Sequence, residues 1–124
     1  MNIHESAEDY LEAILIINKQ KGFVRSIDVA DYLSFSKASV SVAMKSFREN
    51  GYVNTDSGGK LTLTDKGKKI AVRIYERHRI IAKALMALGV DEGVAYKDSC
   101  KIEHDISDIS FEKLKQHLQK HSIV

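Results

Sequence analysis

Five turn-forming residues, Thr55-Asp56-Ser57-Gly58-Gly59, interrupt a chain whose apolar residues otherwise recur at helical spacing. Tyr52-Val53-Asn54 and Lys60-Leu61-Thr62-Leu63 flank this loop and alternate as half-buried strands do, which predicts a hairpin. A single hairpin buries too little to stand alone, so helices on either side must supply the core. The chain has no proline, and the helix limits are read from glycines, caps and changes of period.

Ser6 is expected to cap a first helix, with Asp9 three residues on as a near capping box and Lys21-Gly22 at its end. Phe23-Val24 reads as a short extended segment. Ser26 is expected to cap a second helix with Ile27, Ala30 and Leu33 as its buried stripe. A Ser34-Phe35-Ser36 turn leads to a third helix, stopped by Asn50-Gly51, with Val40, Ala43, Met44 and Phe47 on one face. After the hairpin, Thr64 caps a long helix to about Leu88. Asp91 begins a helix expected to run through Cys100 to about Ile106, and a last amphipathic helix starts near Ser110.

Two short helices, a tight turn and a hairpin describe a winged helix-turn-helix, so the expected fold is mainly α with a small β-hairpin wing. Residues 1–64 form this part, and residues 65–124 a helical region. On the third helix Ala38, Ser41, Val42 and Lys45 lie opposite the apolar face, with Lys37 and Ser39 near its exposed start. Small residues let a helix approach base edges, serine donates or accepts, and Ala38 and Val42 suit thymine methyl groups. Lys60 beside the loop reaches phosphate or the minor groove. Net charge is only +2, but Lys60, Lys66, Lys68, Lys69, Arg73, Arg77 and Arg79 make a local basic segment. The competing reading is a helical module that binds protein.

One cysteine excludes an internal disulfide and suits a reducing cytoplasm. The acidic, amphipathic start is unlike a signal sequence, and no apolar run reaches the roughly 18 residues of a membrane span. Cys100, Glu103 and His104, at offsets of three and four, are expected on one side of one helix and offer thiolate, carboxylate and imidazole. Asp9 and Glu12 sit three apart on the first helix, and His78 on the long one. Each has a plainer reading: Asp9 as a cap, Glu12 as an exposed acid, His78 as a half-buried polar residue, Cys100 as a small buried hydrophobe. His4, His117 and His121 read as surface residues.

Taken together, Glu8-Asp9-Tyr10-Leu11-Glu12-Ala13-Ile14, Ile27-Asp28-Val29-Ala30, Leu63-Thr64-Asp65-Lys66-Gly67, Arg77-His78 and Ile102-Glu103-His104-Asp105-Ile106-Ser107 resemble the diphtheria toxin repressor and manganese transport regulator family. The resemblance covers almost the whole chain. It implies a winged helix followed by a helical metal-binding and dimerisation region, and a metal-dependent repressor rather than an enzyme. It maps metal ligands onto Asp9, Glu12, His78, Cys100, Glu103 and His104, and brings Ala38, Ser39, Ser41 and Val42 to operator bases. The iron-responsive branch has a second site at positions occupied here by Ala82 and Tyr96, so that site is expected to be missing. The chain also ends before that branch's additional C-terminal domain. Both features favour the shorter manganese-regulator architecture, whereas Cys100 follows the iron branch.

The implied cofactor is a divalent transition metal, Mn²⁺ or Fe²⁺, with Co²⁺ or Zn²⁺ able to substitute. The implied partners are palindromic double-stranded operator DNA and a second copy of the chain, with no membrane. Two rivals stand beside this reading: a winged-helix regulator indifferent to metal, and a small metalloenzyme with Glu12 as base.

Overall fold

A computed structural model describes residues 5–122 and forms two compact units, the first ending at Val72 and the second beginning at Arg73. His4 lies outside the described residues.

In the first unit α1 (Glu5–Lys21), α2 (Ser26–Leu33) and α3 (Lys37–Glu49) precede an antiparallel hairpin of β1 (Val53–Thr55) and β2 (Leu61–Leu63). Its core is Leu11, Ile14, Val24, Val29, Val40, Met44 and Val53 around Phe47, whose ring meets Tyr10 and Tyr52 edge-on at 5.9 and 6.3 Å. Ser6 lies within α1 (Glu5–Lys21) and is therefore a helical residue rather than its cap. Arg25, not Ser26, is the N-cap of α2. Its amide donates to the Asp28 carboxylate at 2.9 Å, and its extended backbone pairs with Lys60 across the sheet. Ala30 and Leu33 face inward as the expected stripe has them, but Val29 takes the place of Ile27. Val29 and Ala30 are buried, Leu33 is half-buried and Ile27 is exposed.

Ser34 takes a left-handed conformation (φ 58°) in the turn, and the Ser36 hydroxyl accepts the Ser39 amide to begin α3. Of Asn50-Gly51, only Gly51 adopts positive φ (79°). The loop between the strands is held by Asp56, whose Oδ1 accepts the Gly58 and Lys60 amides at 2.9 Å each. Leu61 donates to the Val24 carbonyl at 2.7 Å, so the segment after α1 edges the hairpin.

Thr64 ties the hairpin to α4 (Asp65–Ala87): its hydroxyl donates to the Gly51 carbonyl at 2.6 Å and accepts the Gly67 amide at 3.1 Å. At Gly67 a Cβ would lie 2.1 Å from the Tyr52 carbonyl oxygen, so only glycine fits.

The second unit comprises the rest of α4, α5 (Glu92–Ile102) and α6 (Asp108–Lys120). Ile80, Ile81, Phe111 and Leu118 form its core, with Ala84, Leu85, Ile106 and Leu114 against them. Asp91 caps α5 through the Gly93 amide. This helix ends at Ile102 rather than Ile106, and a turn follows in which Asp105 and Ile106 both donate to the Ile102 carbonyl. Ser107, whose hydroxyl accepts the Ser110 amide at 3.1 Å, caps α6, which therefore starts two residues before Ser110.

Candidate metal centre and nucleic-acid interface

Helix α3 divides as its periodicity requires. Val40, Met44 and Phe47 are buried and Ala43 is half-buried, while Lys37, Ala38, Ser39, Ser41, Val42 and Lys45 are exposed. Val42, 72% exposed, gains almost nothing from the fold where it stands. The Ser39 hydroxyl is 2.8 Å from that of Ser36, so this serine shares in capping.

At the wing, Lys60 does not stand alone. Lys21 Nζ, the Arg25 guanidinium carbon and Lys60 Nζ lie 5.0, 5.3 and 5.6 Å from the centre of the exposed Phe23 ring. Arg25 Nε also donates to the Gly58 carbonyl at the loop tip. Reading Phe23-Val24 merely as extended overlooked this cluster. Its trace in the sequence is the alternation Lys21, Phe23, Arg25. The basic run from Lys60 to Arg79 is not one solvated face: Lys66 lies over the Tyr52 ring, Arg73 binds Asp108 and Arg77 is buried.

In the second unit His78 projects from α4 toward the end of α5. Its Nε2 lies 3.4 Å from Cys100 Sγ, and its Nδ1 lies 3.9 Å from that sulfur and 3.5 Å from Glu103 Oε2. His104 Nε2 lies 3.4 Å from the other Glu103 oxygen. Two donors about 2.1 Å from a common ion sit about 3.4 Å apart at a tetrahedral angle, and one imidazole nitrogen serves one ion. His78 Nδ1, 3.5 Å from Glu103 Oε2 and 3.9 Å from the longer-bonding sulfur, has spacings that suit shared coordination. His78, Cys100 and Glu103 can each direct one donor atom to a common point. Glu103 is completely buried, with the His78 and His104 imidazoles at its two carboxylate oxygens.

The three residues were expected on one face of one helix. In fact Cys100 is in the last turn of α5, Glu103 is the residue after it and His104 lies in the turn beyond. Cys100 is exposed, which removes its reading as a buried hydrophobe. In the first unit Asp9 is half-buried and Glu12 is buried on α1, so Glu12 is not an ordinary exposed acid. Ala82 is buried and the Tyr96 ring packs beside His78, 5.5 Å between centres. His117 and His121 are exposed, their rings 4.4 Å apart at the end of α6.

Arg77, immediately before His78, is 2% exposed. Its Nη1 donates to the Glu103 carbonyl at 3.0 Å and the Ile106 carbonyl at 2.5 Å, and Nη2 pairs with Asp108. The Arg73 guanidinium, with that of Arg77 beside it, holds the exposed Asp108 carboxyl below its ordinary range. Counting Arg77 only toward a basic segment missed this role.

The profile described as "Iron dependent repressor, N-terminal DNA binding domain" matches residues 2–59, and "Iron dependent repressor, metal binding and dimerisation domain" matches residues 64–122. The chain belongs to the iron-dependent repressor family. Within it the chain is similar to the HTH-type transcriptional regulator MntR of Lysinibacillus sphaericus (strain C3-41), 34% identical over 114 residues, covering 92% of this chain and 82% of that one. MntR of Bacillus subtilis (strain 168) is likewise 34% identical over 114 residues, with 92% and 80% covered. Among solved structures, the manganese regulator SloR superposes with a TM-score of 0.79 at 28% identity, over 96% of this chain and 55% of that chain. The chain thus spans about half of SloR and most of either MntR. This family member is a metal-dependent transcriptional regulator with a winged helix-turn-helix, a DNA-binding region and a dimerisation region. Among the described residues no helix is long and apolar enough to cross a membrane.

Proposed function

We propose that this regulator represses genes of manganese or iron homeostasis by binding a palindromic operator as a metal-loaded dimer. The observation that carries the reading is the buried Glu103 carboxylate, which His78 and His104 approach at its two oxygens and which lies close enough to Cys100 to share an ion with it and His78. Asp9 and Glu12, which the family resemblance assigns as the remaining ligands, add hard oxygen donors from α1. A bound divalent ion would draw on the mixed sulfur, nitrogen and oxygen donors that this set offers. Donors drawn from α1, α4 and the end of α5 are satisfied together in only one arrangement, so the metal-binding form is favoured over others by differential affinity. In that form Ala38, Ser39, Ser41 and Val42 of α3 meet base edges, while Lys37, Lys45 and Lys60 neutralise phosphates. Two copies of α3 then address major grooves about 34 Å apart. Mn²⁺ gains support from the likeness to a manganese regulator and from the carboxylates, Fe²⁺ from the softer Cys100. Co²⁺ and Zn²⁺ suit the same donors.

The test is operator titration with Mn²⁺, with Fe²⁺ under reducing conditions, and with chelator. Wild-type protein gains affinity with metal, while His78→Ala and Glu103→Ala remain folded and dimeric but gain none. Equal operator affinity with chelator and with metal would establish the metal-indifferent reading instead.

A further inference from the structure

Two consecutive residues of α4 grip opposite ends of Glu103. Arg77 donates to its main-chain carbonyl at 3.0 Å, and His78 meets its carboxylate at 3.5 Å. The same Arg77 nitrogen also holds the Ile106 carbonyl, so one side chain closes the turn between α5 and α6 from both sides. Carbonyls at a helix end need a donor from elsewhere, and that end of α5 has no glycine to turn the chain back on itself. The guanidinium suits this task because it is planar, always charged and offers several donors in a fixed fork. Its charge is balanced by Asp108, and its carbon sits 5.2 Å from the centre of the Phe111 ring.

We infer that Arg77 is a positioning residue for the metal centre: it presets the Glu103 carboxylate and the His104 imidazole before an ion arrives. Arg77 itself coordinates nothing. It fixes the backbone from which Glu103 and His104 project, and shares a rigid helical turn with His78, so the three side chains keep a set spacing. A lysine in its place keeps the charge but has a single ammonium, which cannot span both carbonyls and Asp108 in this geometry. Preorganisation of this kind shows as affinity, and loss of a supporting partner around a metal site typically costs about ten- to hundredfold.

The inference rests on the ligand reading above, so the experiment separates the two. Mn²⁺ and Co²⁺ affinities are measured on full-length wild-type protein and on Arg77→Lys, Asp108→Asn and His78→Ala, with thermal unfolding and dimer mass for each. Amide hydrogen exchange of residues 103–106 is followed in the metal-free proteins. Arg77→Lys should bind both metals at least tenfold more weakly, alter the Co²⁺ absorption spectrum and speed exchange at residues 103–106. Asp108→Asn, which leaves the Glu103 carbonyl with its donor, should stay within about threefold of wild type. Millimolar methylguanidinium should restore part of the affinity to Arg77→Gly, a readout that bulk destabilisation would not produce. Wild-type affinity and exchange in Arg77→Lys, with binding still lost in His78→Ala, would overturn the positioning role and leave the ligand reading intact. Unchanged binding in His78→Ala would overturn both.

Discussion

Replacing Gly67 with alanine tests how closely the hairpin is seated on α4. The added methyl would fall 2.1 Å from the Tyr52 carbonyl oxygen and 3.0 Å from its carbon, and both are backbone atoms that no side-chain rotation can move. That same oxygen accepts the Thr64 amide at 3.0 Å. Alanine in a helix is intrinsically favoured over glycine by about 1 kcal/mol. Against this stand overpacking, about 1–3 kcal/mol, and loss or distortion of the Thr64 hydrogen bond, about 1 kcal/mol. The net expectation is a destabilisation of about 1–3 kcal/mol, or a fall in Tm on the order of 5–15 °C for a chain of this size. Thermal and urea unfolding followed by circular dichroism measure it. Gly58→Ala is the control, since its methyl would meet only Asp56 Oδ1 at 3.5 Å, an ordinary contact. A Gly67→Ala protein as stable as wild type, or more so, would refute the argument: helix propensity would have outweighed the clash.

Val42→Asp should leave stability within about 0.5 kcal/mol, because the side chain is already exposed, yet weaken operator binding about a hundredfold or more by setting a carboxylate among bases and phosphates. Normal operator titration would remove α3 from recognition. Lys60→Ala should weaken specific and non-specific DNA binding together and reduce the salt slope by about one, as measured by titration over a range of KCl concentrations. Cys100→Glu should shift the order of activating metals toward Mn²⁺ and abolish the thiolate-to-metal band of the Co²⁺ protein, and wild-type protein without such a band would exclude the sulfur as a ligand. The Lys21 hydrogen bond and the Arg25 amide hold the Asp28 carboxyl below its unfolded value of about 3.9. Its contribution is therefore complete above about pH 4 and disappears as pH falls through the lowered folded value. Asp28→Asn should cost roughly 0.5–1 kcal/mol at pH 7, with the gap to wild type closing toward pH 2, which urea midpoints at several pH values would show.

The sequence made legible whatever is decided within a few residues. Thr64 and Asp91 cap helices where expected, because their side chains bond amides two or three positions on. The same rule misplaced Ser6 and Ser26, since a serine just inside a helix looks locally like one just outside it. For α2 the decision came from Lys60, which draws Arg25 into an extended backbone from 35 residues away. The end of α5 was harder. No glycine or proline marks Ile102, and the turn after it is closed by Arg77, which lies 26 and 29 residues from the carbonyls it binds. The candidate ligands were legible as a set because cysteine, glutamate and histidine within five positions are chemically conspicuous. Their geometry was not, because it depends on that distant guanidinium. The cations around Phe23 were missed for a similar reason: the third of them comes from the far side of the hairpin.

Cys100 and Glu103 differ in more than chemistry. Glu103 is enclosed and held at its main chain and its carboxylate, whereas Cys100 stands exposed at the rim of the cluster. Exchange at position 103 therefore changes buried packing and the carboxylate together, though the carbonyl held by Arg77 stays, while exchange at position 100 changes little besides the donor atom offered. Over evolutionary time the two sites are open to different kinds of change. One preserves the existence of the sensor, and the other is free to wander between sulfur and oxygen as the metals available to a lineage change, with no need to rebuild the protein around it.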